Sequence, residues 1–129
     1  GAGFVSYSNA VKESVLGVNA ALIEQHGAVS ELVVRAMAEG ALRRSQANCA
    51  IAVSGVAGPD GGTEDKPVGT VWIAWGGADK LYAHRFNYPV GRKTFQTIVS
   101  ALALDLLRRY LLGTDEVPNY FQRKRSIKK

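Results

Sequence analysis

Residues 54–75, "SGVAGPDGGTEDKPVGTVWIAW", place five glycines and two prolines between an apolar run and a tryptophan-bearing one. Neither a helix nor a regular strand passes through such a segment. Glycine loses the most conformational freedom when ordered, and proline fixes φ and removes a backbone donor. Any fold open to this chain must therefore treat the glycine-rich part as a loop between regular elements. Pro59 and Pro67 also restrict the residues before them, so the loop is bent without being slack. Two roles suit it: a long hairpin connection, or a cradle whose bare backbone N–H groups face a phosphate or carboxylate.

The flanking sequence supplies the elements. "GFVSYS" (3–8) is rich in β-formers and reads as a strand; Ser8 or Asn9 then caps a short helix, "AVKESVLGV", stopped at Gly17. "NAALIEQHG" reads as a second short helical turn ending at Gly27. Ser30 caps "SELVVRAMAEGALRRSQ", with Glu31 at its positive end, Arg43 and Arg44 at its negative end, and a buried stripe through Val33, Met37 and Ala41. "NCAIAVSGV" is a continuous apolar run, the pattern of a strand buried on both faces. "GTVWIAWG" and "KLYAHRFNY" are two more strands joined by a Gly-Gly-Ala-Asp-Lys hairpin turn. The longest helix, "GRKTFQTIVSALALDLLRRYLLG", carries Phe95, Val99, Leu102 and Leu106 on one face and stops at Gly113. Strand, helices, three strands and a helix imply an α/β or α+β layered domain, a mixed sheet covered by helices.

With 129 residues, 47% of them hydrophobic, the chain can bury one core, so a single domain is expected. No apolar stretch reaches the length of a membrane span, and the first residues lack the layout of a secretory signal. Cys49 is the only cysteine, which rules out an internal disulfide. These features lead to the expectation of a soluble, cytoplasmic protein. The net charge of +5 arises from the end of the chain, where Arg123, Lys124, Arg125, Lys128 and Lys129 follow Asn119 with no acid among them. The remainder is formally neutral, so residues 114–129 are expected to be a solvated basic tail, and a nucleic-acid partner is not expected.

Familiar catalytic signatures are absent: there is no GxxxxGK[ST], HExxH, CxxC or GxSxG. His26 and His84 are expected at a helix end and on an exposed strand, and neither a metal site nor a cofactor is expected. "YSNAVK" is more suggestive. Tyr7 ends a strand and Lys12 lies in the first turn of the next helix, so both can face the crevice at the strand's C-terminal edge. The positive end of a helix dipole disfavours a lysine's charge, and a lysine with a lowered pKa can act as a general base. On spacing alone, a solvated Lys12 and a packed Tyr7 account for the same residues.

Taken in order and spacing, "GFVSYSNAVKESVLGV", "HGAVSELVVRAMAEGAL" and "AVSGVAGPDGGTEDKPVGTVWIA" resemble the C-terminal domain of the CinA (competence/damage-inducible protein A) family. The resemblance covers about 3–112, and the long glycine loop is its most specific part. It implies a deamidase domain over 1–113 that hydrolyses nicotinamide mononucleotide to nicotinate mononucleotide and ammonia, using a serine nucleophile assisted by a tyrosine and a lysine. Tyr7 and Lys12 match the last two through the family's Y-S-N-x-x-K motif. The expected substrate contacts are Ser54, Gly55, Gly58, Gly61, Gly62, Thr63 and Arg92, the last matching the arginine of a G-D-R motif and pairing with phosphate.

The chain also departs from the family's pattern. The family's Gly-Ser-Ser nucleophile segment and its earlier A-E-S-C-T-G-G turn would both fall ahead of Gly1, Ala10 replaces a glutamate, and no aspartate precedes Arg92. The resemblance thus implies a domain cut at its N-terminal edge, for which self-association into a homo-oligomer is expected. A non-catalytic nucleotide-binding or regulatory domain remains the alternative reading.

Overall fold

The computed structural model describes residues 17–27, 29–55 and 67–113. In chain order these form α1 (Ala20–His26), α2 (Glu31–Ser45), β1 (Ala50–Gly55), β2 (Thr70–Gly76), β3 (Leu81–Asn87) and α3 (Arg92–Leu111). The strand expected over 3–8 and the helix after it lie outside the described residues, as do most of the glycine loop and the basic tail.

Local sequence signals set the helix ends. Asn19 caps α1 by accepting a hydrogen bond from the Ala21 N–H at 2.8 Å, and Gly27 ends the helix with φ +80°. The Ser30 hydroxyl does two jobs. It accepts from the Val33 N–H at 3.4 Å, capping α2, and donates to the Gly27 carbonyl at 2.9 Å, tying the end of α1 to the start of α2. Glu31 pairs with Arg35 at 2.9 Å one turn on, and Arg35 also donates to the Leu81 carbonyl at 2.7 Å, fastening α2 to β3. α2 ends one residue sooner than its sequence predicts, because Gln46 takes a left-handed conformation with φ +55°.

The three strands form one sheet in the order β1-β2-β3, antiparallel throughout, with Val53 opposite Ile73, Ser54 opposite Trp72, and Val71 opposite Phe86. Side chains alternate between its two faces. On one face Ala52 and Ala74 pack with Val18, Ile23, Val33, Val34, Met37 and Ala38 of the α1–α2 segment. On the other, Val71, Ile73, Trp75 and Phe86 pack with Phe95, Val99, Leu102, Ala103 and Leu106 of α3. The result is an α+β layered arrangement with helices on both faces of the sheet, as the order of elements predicts, although among the described residues the strands pair only antiparallel where a mixed sheet is expected.

Two details differ from the sequence reading. β1 is not buried on both faces: Val53 is 38% exposed, because α3 lies over β2 and leaves an apolar groove of about 490 Å³ between Val53 and its own flank at Phe95, Val99, Ala103 and Leu104. His84 is half-buried rather than on an exposed strand, with its ring edge-on to Phe86 at 5.6 Å. It sits on the α3 side of the sheet, in register with Ile73. His26 is exposed in the last turn of α1, as expected.

At the hairpin between β2 and β3, paired hydrogen bonds between Gly77 and Lys80 close a tight turn. The Tyr110 hydroxyl donates to Asp79 Oδ1 at 2.6 Å, pinning the last turns of α3 to this hairpin. That bond holds the Asp79 carboxyl below its usual range and pushes the Tyr110 phenol up to about 12. The Asp79 contribution to stability is therefore present above the ordinary carboxylate value and is lost as pH falls through the lowered one. The Tyr110 contribution is complete below the ordinary phenol value and is lost as pH rises through about 12. In urea midpoints measured against pH, Tyr110→Phe is expected to differ most from the wild type between about pH 4 and pH 10. The two curves should converge at both extremes.

Candidate functional site

Three segments meet at one end of the sheet, where β1 leaves it, β2 enters it, and β3 gives way to α3. The register brings Thr70, the first residue of β2, opposite Asn87, the last of β3. Thr70 is fully buried, and its hydroxyl donates to the Pro67 carbonyl at 2.6 Å while accepting from Asn87 Nδ2 at 3.3 Å. The Thr70 N–H also donates to the Pro67 carbonyl, at 3.0 Å, so the chain re-enters the sheet through a tight turn.

Gly69 makes that turn possible. Its φ is +94°, and a Cβ placed on it would lie 2.5 Å from the Tyr88 carbonyl carbon and oxygen and 2.7 Å from Pro89 N. The Tyr88 N–H donates to the Gly69 carbonyl at 2.8 Å, and the Val90 N–H to the Tyr88 carbonyl at 2.8 Å. Tyr88 stacks on Phe86 with ring centroids 5.9 Å apart, and burial pushes its phenol above the ordinary value. On the opposite flank Gly55 closes the gap to α3. A Cβ there would lie 3.1 Å from the Thr70 carbonyl oxygen and 3.2 Å from Phe95 Cζ.

The chain then enters α3 through Gly91, which caps it without a side-chain hydrogen bond. A Cβ on Gly91 would meet nothing within 4 Å among the described residues. The first turn contains no acid and carries the exposed cations Arg92 and Lys93. The first N–H groups of any helix lack intrahelical acceptors and carry partial positive charge. Adding two side-chain cations there, against the dipole's preference, makes the start of α3 a place where an anion gains and a cation does not.

The structure places Arg92 as the first residue of α3 and brings that turn against Gly55 through the Phe95 ring. Ser54 is half-buried on β1 opposite Trp72, which belongs to the sheet face covered by α2. Its side chain and the first turn of α3 are therefore on different faces and converge only at the sheet's end. Tyr7, Lys12, Gly58, Gly61, Gly62 and Thr63 lie outside the described residues. Thr70, Asn87 and Tyr88 were not singled out from the sequence. The signal available for the first two is a polar residue that opens the apolar β2 and another that closes β3, which acquires meaning only once the register is known. Among the described residues, no group of three or more His, Cys, Asp or Glu is arranged to hold a metal ion.

A family model described as the CinA C-terminal domain matches residues 1–111. The chain belongs to the CinA family. Its CinA relatives include a CinA-like protein from Colwellia psychrerythraea, 56% identical over 119 residues, a match that covers 92% of this chain and 28% of that protein. A nicotinamide-nucleotide amidohydrolase, PncC, from Pseudomonas putida is 52% identical over 103 residues, covering 78% of this chain and 64% of that one. Among solved structures, the competence/damage inducible protein CihA from Agrobacterium tumefaciens has a TM-score of 0.80 at 39% identity, covering 83% of this chain and 66% of its own. The competence damage-inducible protein A (ComA) from Klebsiella pneumoniae has a TM-score of 0.79 at 38% identity, covering 84% and 67%. The chain thus spans little more than a quarter of the longer CinA-like relative. No helix among the described residues is long and apolar enough to cross a membrane.

Proposed function

We propose that this chain is part of the catalytic domain of an amidohydrolase that converts nicotinamide mononucleotide to nicotinate mononucleotide and ammonia. The observation that carries this reading is the 52% identity to a nicotinamide-nucleotide amidohydrolase over 78% of the chain. It is supported by a helix start that carries the exposed cations Arg92 and Lys93 and no acid, a feature suited to a phosphate monoester. In the reaction an oxygen nucleophile adds to the carboxamide carbon, the C–N bond breaks, the departing nitrogen leaves as ammonia after gaining a proton, and water supplies the acid's oxygen. Tyr7 and Lys12 are assigned to move that proton, and the backbone of Gly55, Gly58, Gly61 and Gly62, with Ser54 and Thr63, to line the substrate. Arg92 is assigned to the phosphate.

The assignment of Arg92 makes a direct demand on affinity. Arg92→Ala is expected to weaken nicotinamide mononucleotide binding about tenfold or more, the range for a charge-assisted hydrogen bond. Its melting temperature should change little, because the side chain is exposed. Calorimetric titration checks both points. Unaltered affinity would move the phosphate elsewhere, while binding without ammonia release from any form of the protein would favour a regulatory nucleotide-binding domain.

A further inference from the structure

Thr70 is fully buried, yet it carries a hydroxyl whose two hydrogen bonds lead in different directions. Through the Pro67 carbonyl, at 2.6 Å, it holds the segment by which the chain re-enters the sheet. Through Asn87 Nδ2, at 3.3 Å, it holds the last residue of β3, from which the chain runs over Tyr88, Pro89 and Val90 to Gly91 and Arg92. The Tyr88 N–H bond to the Gly69 carbonyl repeats the same link one residue further along. The Thr70 carbonyl oxygen, in turn, would lie 3.1 Å from a Cβ on Gly55, so the end of β1 passes close to the same residue. One threonine side chain therefore ties the re-entering segment at Pro67 to the end of β3, beside the end of β1, although it does not itself reach solvent.

We infer that Thr70, with Asn87, is a positioning residue for phosphate recognition. It fixes the 87–91 connection, and hence the first turn of α3 with Arg92, relative to the end of β1. This inference rests on the reading that Arg92 meets the phosphate of a mononucleotide. A displacement of about 1 Å in such a group is enough to cost large factors in binding or rate. Removal of the buried hydroxyl leaves the Pro67 carbonyl and the Asn87 amide without that partner, and the two segments lose the side-chain link between them while the backbone pairing stays.

The test titrates nicotinamide mononucleotide and nicotinamide riboside, which lacks the phosphate, into the full-length protein carrying this chain. The quantity read is the ratio of the two affinities. Thr70→Val is expected to lower that ratio about tenfold, with riboside affinity unchanged within about twofold, and Thr70→Ser is expected to keep it. In an Arg92→Ala background, Thr70→Val should lower the ratio no further, because the threonine acts through that arginine. A ratio unchanged in a Thr70→Val chain that still melts cooperatively overturns the inference. So does an equal loss for both ligands, the signature of a purely structural role. Should Thr70→Val not fold, Asn87→Ala carries the same expectation and the same contrary result. A wild-type chain that binds neither ligand refutes the mononucleotide reading itself, and one that binds both alike refutes the Arg92 contact; either result removes the positioning role with it.

Discussion

Gly69→Ala is expected to be among the most destabilising single-methyl changes in the chain. A positive φ of +94° is a conformation that side-chain-bearing residues rarely take, and the added Cβ would stand 2.5 Å from the Tyr88 carbonyl, a backbone group that cannot swing aside. Strain of about 1–3 kcal/mol at the φ angle and a similar amount from forced repacking give about 2–6 kcal/mol in all. That is a large share of the ~5–15 kcal/mol typical of a domain. The melting temperature should fall by about 10–20 °C. Gly91→Ala is the matched control, since its Cβ meets nothing within 4 Å among the described residues, and it should cost no more than about 1 kcal/mol. Thermal and urea melts of the two variants check the contrast, and equal midpoints would show that the 67–70 turn is not packed against Tyr88 as described.

Lys12→Met is expected to have the largest effect on chemistry. Methionine keeps much of the length and apolar character of the lysine stem and removes the amine, so binding should stay within a few-fold while proton transfer is lost. Loss of a general base costs about 10²- to 10⁴-fold in kcat. A fall in kcat with KM nearly constant, measured by ammonia release in the full-length protein carrying this chain, is the predicted pattern. Tyr7→Phe should act in the same direction. An unchanged kcat in Lys12→Met would remove the lysine from the mechanism.

Much of the fold was legible because its signals are local. Ser30 and Asn19 cap helices in the structure as serine and asparagine before apolar-periodic runs should, and the Phe95, Val99, Leu102 and Leu106 stripe faces the sheet. The hairpin at 77–80 follows from its Gly-Ala-Asp-Lys chemistry. What was not legible depends on neighbours distant in sequence. The apolar run of β1 has the composition of a doubly covered strand, but whether Val53 is covered depends on where α3 crosses the sheet. His84 reads as polar and exposed until the register sets it opposite Ile73 on the α3 face. Gln46 ends α2 without the glycine that usually marks such a stop, and no residue type announces it. The same holds at the candidate site. Arg92 could be placed at a helix start from sequence, whereas the Thr70–Asn87 bond exists only because an antiparallel register joins residues far apart in the chain.

The most direct measurement of the proposed activity follows nicotinamide mononucleotide through complete turnover by the full-length protein carrying this chain, with both products quantified. The prediction is ammonia and nicotinate mononucleotide in equal amounts, since hydrolysis of the carboxamide releases one of each. Release of free nicotinamide, which would mean cleavage of the glycosidic bond, or saturable binding with no ammonia at all, would contradict it.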